Sequence, residues 1–248
     1  MARTAVRGRL SWQIATVDDV VVETARVRTI VLGVSEWPGH RAGQHLDVRL
    51  TAEDGYRAER EYSIASAPGE PVAITVERLD DGEVSPYLTD ELRAGDEIEL
   101  RGPIGGYFVW DVEHGGPLLL VAGGSGIVPL RAILRHRRRS ESDVPVRLLY
   151  SSRRIEDVIY RAELDERADG AEVVYTLTRE QPPGWTGHTG RVDAALLEEV
   201  AWPADEAQPP LAFVCGPTSF VETVASGLVS LGYPPARVKT ERFGATGR

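Results

Sequence analysis

The chain has 248 residues, of which 42% are apolar and 27% charged, and its formal net charge at pH 7 is −10. This composition is typical of a globular protein with one large domain or two of ordinary size. The negative charge argues against general binding to nucleic acids or anionic membranes. No apolar run approaches the ~20 residues that a membrane-spanning helix needs, and no apolar stretch follows the N-terminal arginines as in a secretory signal. We therefore expect a soluble cytoplasmic protein.

The single cysteine, Cys215, limits the redox chemistry that this polypeptide can carry. One thiol cannot form an internal disulfide, a thiolate zinc site or an iron–sulfur cluster. The five histidines include no pair at helical spacing beside a carboxylate, so no metal site is predicted.

Short runs rich in β-branched residues occupy the first hundred residues and are separated by turn signals such as Asp80-Asp-Gly82. A helix is predicted at 86–92, before the last of these runs. Six short strands with one inserted helix predict an antiparallel Greek-key β-barrel. The predicted strands are 12–22, 26–35, 44–51, 57–66, 72–79 and 96–101.

The fourth predicted strand contains Arg60-Glu-Tyr-Ser63. Arg60 can direct two N–H donors at a phosphate, and Tyr62 lies two residues along on the same face, where its ring can stack on an isoalloxazine. Ser63 offers a hydroxyl at the edge of such a ring. An exposed arginine, a packed tyrosine and a polar serine are also ordinary strand residues, so the motif alone favours function only slightly.

Gly82-Glu-Val-Ser85 follows about one strand later. Gly82 permits close approach of the backbone, and Ser85 is predicted to cap the helix whose first amides would face a pyrophosphate. An ordinary Asp-Gly turn leading into a capped helix has the same sequence, and both interpretations can hold together.

The pattern changes after about residue 112, where strand-like runs alternate with helical ones. Repeated β-α units predict a Rossmann-like parallel sheet with right-handed crossovers. His114-Gly-Gly-Pro117 is the natural boundary, which divides the chain into domains 1–112 and 113–248. Strands are predicted at 118–122, 146–150, 172–177, 211–214 and 238–243, and helices at 127–138, 159–168, 192–200 and 219–231.

Gly123-Gly-Ser-Gly126 forms a glycine-rich connection between a buried strand and a helix. It lacks the G-x-G-x-x-G dinucleotide fingerprint, yet Gly124, Ser125 and Gly126 still allow a ligand to approach the backbone at a helix N-terminus. A tight strand-to-helix turn with no ligand is the alternative. The helix ends in Arg135-His-Arg-Arg-Arg139, which the helix dipole alone explains.

Ser151-Ser-Arg-Arg154 follows the second strand of the predicted sheet, and Arg179 ends the third. Cations and hydroxyls at these positions suit a nucleotide 2′-phosphate, so Ser152, Arg153 and Arg179 favour NADPH over NADH. Solvated loop arginines are the alternative.

Cys215-Gly216-Pro217 lies at the carboxyl end of the predicted strand 211–214, where open parallel sheets bind ligands, and Thr218 is predicted to cap the next helix. A small buried apolar residue is the commoner role of a free cysteine. Because nothing nearby marks Cys215 as an activated nucleophile, we favour a role in contacting a nicotinamide.

Five motifs in this order resemble the ferredoxin–NAD(P) reductase superfamily across residues 10–245: Arg60-x-Tyr-Ser63, Gly82-x-x-Ser85, Gly102-Pro-x-Gly105, Gly123-Gly-Ser-Gly-Ile-x-Pro129 and Cys215-Gly-Pro217. The resemblance implies a flavin-binding barrel followed by a nucleotide-binding α/β domain, with FAD as cofactor.

The resemblance also implies roles for single residues. Ser63 would hydrogen-bond at flavin N5, Cys215 would lie by the nicotinamide carbon that gives up hydride, and Glu241 would assist proton transfer; these are the three predicted catalytic residues. Phe243 would cover the flavin until nicotinamide displaces it, although here the chain continues through Gly244–Arg248. The remaining implied cofactor contacts are Arg60, Tyr62, Ile64, Val76, Glu77, Arg78, Gly82, Glu83, Val84, Ser85, Gly124, Ser125, Gly126, Gly216 and Pro217.

The predicted function is transfer of hydride from NAD(P)H to flavin, followed by release of single electrons. Because one cysteine cannot hold a cluster, the acceptor would be a separate carrier, a ferredoxin-like iron–sulfur protein that feeds an oxygenase. Two alternatives remain: a reductase of free flavin, quinones or other small molecules, and a non-catalytic module that senses flavin and nucleotide.

Overall fold

A computed structural model describes residues 10–166, 170–204 and 209–244 of the chain. The first half contains strands β1 (Gln13–Thr24), β2 (Val27–Gly33), β3 (His45–Thr51), β4 (Arg57–Ser63), β5 (Val72–Glu77) and β6 (Glu97–Ile104). They form an antiparallel sheet in the order β4-β3-β6-β1-β2-β5. A bridge between Ile64 and Ile74 joins the two edge strands, and the Ala65 amide donates to the Ala73 carbonyl at 2.7 Å. The predicted six-stranded barrel is confirmed.

Alternation along the strands gives the barrel two faces. Ile30, Leu32, Ile74 and Val76 lie in its interior, because residues two apart on a strand point the same way. The intervening positions, among them Val27 and Ala73, pack outward against the second half of the molecule. One face of β2 and β5 therefore builds the barrel core, and the other builds the junction between the two halves.

The helix predicted at 86–92 is a single π-helical turn, Tyr87–Glu91. The prediction that Ser85 caps it is wrong. Pro86 occupies the cap position with no side-chain hydrogen bond, while the Ser85 hydroxyl accepts from the Leu79 amide at 3.0 Å. A serine hydroxyl accepts from the amide that the loop brings nearest to it, and here that is the Leu79 amide, which precedes the turn.

The second half contains β7 (Leu118–Gly123), β8 (Val146–Ser152), β9 (Glu172–Leu177), β10 (His188–Thr189), β11 (Leu211–Pro217) and β12 (Val238–Phe243). Its helices are α1 (Ile127–Arg139), α2 (Arg161–Glu166), α3 (Ala194–Val200) and α4 (Thr218–Ser230). The strands pair in parallel in the order β10-β9-β8-β7-β11-β12. The predicted Rossmann-like sheet is confirmed, and the chain reverses its direction of growth between β7 and β11.

Three details of the second half differ from the sequence predictions. β10 was not predicted, since two residues carry no periodic signal. α4 begins at Thr218 and Pro217 takes the cap position, so Thr218 is not the N-cap. The predicted helix 159–168 starts later, at Arg161, and its last residues lie outside the described ranges.

One buried cluster is shared between the two halves. One cluster contains Ala42, Phe108 and Trp110 from the first half together with Leu120 and Phe213 from the second. The rings of Phe108 and Phe213 meet edge to face, with centroids 5.1 Å apart. The packing is continuous across the predicted boundary, so it does not mark where one domain ends. We propose that the boundary lies after residue 112. Within the described ranges, none of the helices is both long and apolar enough to cross a membrane.

Candidate functional site

The three residues predicted to be catalytic meet where the barrel touches the sheet. Ser63 ends β4, and its hydroxyl donates to Oε1 of Glu241 on β12 at 3.1 Å. Cys215 on β11 is the register partner of Glu241. Residues separated by more than 150 positions along the chain thus form one cluster at the carboxyl ends of neighbouring parallel strands.

Glu241 titrates near neutrality. Burial raises its pKa from 4.5 to about 7, the hydrogen bond from Ser63 acts in the opposite direction, and the negative charge of Glu61 raises the pKa further. A carboxyl group with such a pKa can hold or release a proton under ordinary conditions. This property suits the proton-transfer role predicted for it.

Cys215 is fully buried, and burial raises the pKa of its thiol well above the usual range, with a further contribution from the charge of Glu241. The side chain therefore stays a neutral thiol, which agrees with a contact role and not with nucleophilic attack.

Arg60 is exposed on β4, and its guanidinium is already engaged. Nη2 donates to Oε2 of Glu83 at 2.6 Å, and Nη1 donates to the carbonyl of Glu59 at 2.7 Å. Tyr56 donates to the other oxygen of Glu83 at 2.9 Å. The hydrogen bonds from Tyr56 and Arg60 lower the pKa of Glu83, which is thus an ionised carboxylate. A phosphate reaching Arg60 would have to replace or share these contacts.

Tyr62 is half-buried, and it packs against the barrel core. Burial raises the pKa of its phenol, so the ring presents an uncharged face. The next residues continue the same edge of the barrel: Ile64 bridges to Ile74, and Val76 and Glu77 end β5. Their position agrees with the predicted flavin edge.

The loop from Arg78 to Ser85 is held by its own contacts. The Gly82 amide donates to the Leu79 carbonyl at 3.0 Å, and a Cβ on Gly82 would lie 2.8 Å from the Ser85 hydroxyl. The Arg78 side chain forms ion pairs with Asp80 and Asp90. Packing within the loop therefore explains the glycine at position 82. Glu83 and the buried Val84 lie in the same loop, at this end of the barrel.

The glycine-rich turn 123–126 links β7 to α1 at the point where the sheet changes direction. A Cβ on Gly126 would lie 2.1 Å from the Cys215 carbonyl oxygen, so this position must be glycine for the turn to pack on β11. Gly124 has φ +56°, and a Cβ added there would meet nothing within 4 Å, which leaves its surroundings open to a ligand. Packing thus explains Gly126, while the ligand contact predicted at Gly124 stays a prediction; Ser125 lies between them, half-buried.

The residues predicted to bind a 2′-phosphate follow the carboxyl ends of β8 and β9. The Arg179 amide donates to the Arg153 carbonyl at 3.0 Å, so these two exposed arginines come from adjoining backbone. Ser152 is buried and donates to the Arg154 carbonyl. Arg154 is paired with Asp157, with Nε to Oδ2 at 3.2 Å. The adjoining backbone brings Arg153 and Arg179 to the same edge of the sheet, and their contact with a phosphate stays a prediction.

The end of β12 lies beside the end of β11, where Phe243 is the register partner of Pro217. Phe243 is half-buried against the core cluster that contains Cys215. A Cβ on Gly216 would lie 2.8 Å from the Phe220 ring, so Gly216 also has a packing reason to be glycine.

The residues at this site match the chemistry that a flavin dinucleotide requires. One barrel edge offers a guanidinium, an aromatic face and a hydroxyl in sequence, and the facing edge of the sheet offers a neutral thiol and a titratable carboxyl. The sequence did not indicate that Tyr56 hydrogen-bonds to Glu83. It also did not indicate Arg131 and Tyr160, two residues of the second half that contact the barrel. Their partners are remote in sequence, so no local pattern could have shown them.

Comparison with known proteins identifies the same two halves. Residues 14–109 match the oxidoreductase FAD-binding domain, and residues 120–226 match the oxidoreductase NAD-binding domain. A ferredoxin–NADP reductase B from Sorangium cellulosum is 36% identical over 212 residues, which cover 82% of this chain and 84% of that protein. The chain belongs to the ferredoxin–NADP reductase-like family.

Other members of the family that resemble this chain differ in length. The reductase subunit of a glycine betaine monooxygenase from Chromohalobacter salexigens is 31% identical over 237 residues; the match covers 92% of this chain but only 63% of that protein. The crystal structure of the FAD/NAD-binding domain of a nitric oxide dioxygenase from Vibrio cholerae superposes with a TM-score of 0.83 at 26% identity, covering 94% of this chain and 98% of that one. These matches support the two-part fold with its FAD-binding and NAD-binding halves.

Proposed function

We propose that this chain is an NAD(P)H-dependent flavoprotein reductase that takes hydride onto FAD and passes electrons one at a time to a separate ferredoxin-like carrier. The hydrogen bond from Ser63 to Glu241 carries the proposal. It joins the edge of the FAD-binding half to the carboxyl end of the NAD-binding sheet beside Cys215, where the two cofactors of this family would have to meet.

Each half would hold its own cofactor. Arg60 would bind the pyrophosphate of FAD, Tyr62 would stack on its ring, and Ser63 would hydrogen-bond at its reactive edge. Backbone groups of 64, 76–78 and 82–85 would complete that site. The nicotinamide nucleotide would lie over Gly124–Gly126 and reach Cys215, Gly216, Pro217 and Phe243.

FAD, when bound, supplies the exchange between two-electron and one-electron chemistry. The chain supplies position and a proton. Glu241, with a pKa raised to about 7 by burial, can hold or release a proton at the Ser63 hydroxyl, 3.1 Å away. The buried Cys215 and the half-buried Phe243 keep water from the same region.

NADPH is the favoured nucleotide. Arg153 and Arg179 are exposed on adjoining backbone beyond β8 and β9, and Arg154 is paired with Asp157. Two guanidiniums at the sugar end of the nucleotide suit the extra phosphate of NADPH, whereas NADH gains nothing from them.

The proposed acceptor is a soluble iron–sulfur carrier, which has the one-electron chemistry that a cluster provides and which feeds an oxygenase. Relatives named as a ferredoxin–NADP reductase and as the reductase subunit of a monooxygenase support this class of acceptor. A soluble carrier and a nicotinamide substrate would both be available in the cytoplasm, where we propose the protein acts.

A comparison of acceptors tests this function. The FAD-loaded protein would be supplied with NADPH and offered purified ferredoxins, with free FAD and a soluble quinone as alternative acceptors. Reduction of a ferredoxin at least as fast as of the small molecules supports the proposal. Turnover with free flavin or quinone alone would show a small-molecule reductase instead.

A further inference from the structure

The face of β2 and β5 that meets the second half combines apolar side chains with one pair of hydroxyls. Val27 and Ala73 pack into the shared core, but Thr29 and Thr75, which face each other in the register of β2 and β5, put two hydroxyls there. Both threonines are 5% exposed, and their Oγ1 atoms lie 2.8 Å apart. A pair of buried hydroxyls needs further hydrogen-bond partners.

Counting protons fixes the direction of every hydrogen bond in this group. Thr29 donates to Oε1 of Glu23 at 2.7 Å, so its oxygen accepts from Thr75. Thr75 has then used its own proton and accepts in turn from the Tyr160 hydroxyl. A directed series of hydrogen bonds therefore runs from Tyr160 in the second half, through Thr75 and Thr29 of the barrel, to the side chain of Glu23, and Tyr160 also lies within hydrogen-bonding reach of Thr29.

Tyr160 is held in place from its other side as well. It is 3% exposed and has φ +59°, a left-handed conformation that a bulky residue adopts only when its surroundings impose it. The guanidinium of Arg131 lies over its ring, 4.1 Å from the centroid, and Nε of Arg131 donates to Glu163 at 2.8 Å. Arg131 belongs to α1, the helix that begins at the glycine-rich turn.

Burial raises the pKa of Tyr160 to about 12, so the phenol keeps its proton and acts as the donor to Thr75. Thr75 lies between Ile74, which bridges to Ile64, and Val76, at the proposed flavin edge. The chain of hydroxyls thus connects the segment beyond β8 and helix α1 to the strand that would carry the flavin.

We propose that Tyr160 is a positioning residue, whose hydrogen bond to Thr75 sets the nucleotide-binding half in one register against β5 and so fixes the approach of nicotinamide to flavin. The inference rests on the proposed function. Apolar contacts alone tolerate small shifts of one half against the other. A shift that parted Tyr160 from Thr75 would leave a buried donor or acceptor without its partner.

The test uses Tyr160→Phe, Thr75→Val and the double variant in the full FAD-loaded chain. Anaerobic stopped-flow reduction by NADPH gives the rate constant of flavin reduction at saturation and the nucleotide concentration for half saturation. We expect each single variant to lower the rate constant of flavin reduction roughly 10-fold, because a small misplacement of the reacting groups slows hydride transfer. The NADPH concentration for half saturation and the FAD content should stay unchanged. The double variant should be no slower than the slower single variant, because both break the same contact.

Two controls accompany these variants. Thr75→Ser keeps the hydroxyl and should retain the wild-type rate. Tyr175→Phe removes a phenol that hydrogen-bonds to Asp165, away from the barrel, and should also be silent. Reduction of Tyr160→Phe and Thr75→Val at the wild-type rate would overturn the inference, as would a Thr75→Ser variant as slow as Thr75→Val. A wild-type protein that NADPH fails to reduce would instead overturn the proposed function, and the positioning role with it.

Discussion

The guanidinium of Arg60 already has hydrogen-bond partners within the protein. Glu83 and the Glu59 carbonyl occupy its two terminal nitrogens, and Tyr56 braces Glu83. Solvent screens an ion pair this exposed, whereas charge-assisted bonds to a pyrophosphate are stronger. The contacts with Glu83 and Glu59 therefore orient Arg60 without preventing its use by a ligand.

Arg60→Ala should lose FAD affinity. Removal of a charged donor from a phosphate should weaken binding about 10- to 100-fold. The measurement is FAD retained after size exclusion, together with a titration of the apoprotein followed by flavin fluorescence. Arg57→Ala, an exposed arginine at the other end of β4, is the matched control. Full flavin content in Arg60→Ala would contradict the role given to Arg60.

Arg153→Ala should weaken NADPH roughly 5- to 10-fold and NADH by less than about twofold, since only NADPH carries the phosphate that this exposed side chain would meet. The concentration for half-maximal flavin reduction by each nucleotide checks this. Arg154→Ala, which removes a neighbouring exposed arginine that is not assigned to the phosphate, is the control. Equal losses for both nucleotides in Arg153→Ala would mean that the 2′-phosphate is bound elsewhere.

Glu241 should make stability depend on pH. Its pKa is raised by burial from 4.5 to about 7, so between these values the folded protein keeps a proton that the unfolded chain releases. The free energy of unfolding should therefore fall as pH rises through this window and level off above it. Glu241→Gln removes this contribution.

Melting temperatures of wild type and Glu241→Gln across that window measure the effect. The wild type should lose more stability with rising pH than the variant. Glu222→Gln, which removes an exposed carboxylate paired with Arg242, should follow the wild type. Parallel curves for wild type and Glu241→Gln would show that Glu241 does not titrate there.

At the scale of elements, the sequence predicts strands and helices where the hydrophobic pattern extends over several residues. It does not predict local structure that a single tertiary contact determines. β1–β6 and the five main parallel strands follow from alternating or apolar runs bounded by turn residues. The π-helical turn and the role of Ser85 do not follow from the pattern. The Ser85 hydroxyl accepts from the Leu79 amide, six residues earlier in the loop, and so does not cap the turn. The helix start at Thr218, with Pro217 in the cap position, differs from the prediction by one residue.

The glycine-rich turn gives a paired prediction. Gly126→Ala places a Cβ 2.1 Å from the Cys215 carbonyl oxygen, backbone that cannot give way, and should destabilise the fold by roughly 3 kcal/mol or more. Gly124→Ala meets only the strain of φ +56° and should cost about 1 kcal/mol. Chemical denaturation of both variants measures the difference. Similar losses would mean that the turn is not packed on β11 as described.

At the scale of the molecule, the junction between the halves is what the sequence could not predict. The motifs predict which residues face each cofactor, since residue types and spacing carry that information locally, and those contacts stay predictions. The contacts of Ser63 with Glu241, of Tyr160 with Thr75 and of Arg135 with Glu70 join positions at least 65 residues apart. The basic end of α1 illustrates this: Arg135 and Arg139 both lie near Glu70, beyond what the helix dipole accounts for.

Hydride must cross the junction at Ser63 and Glu241 if the two halves act as one reductase. The most direct measurement is the visible absorbance of the FAD-loaded protein mixed anaerobically with NADPH, with no other acceptor present. We predict rapid and complete bleaching of the flavin band at one equivalent of nucleotide. A yellow protein that keeps its colour under excess NADPH and excess NADH would contradict hydride transfer at this junction.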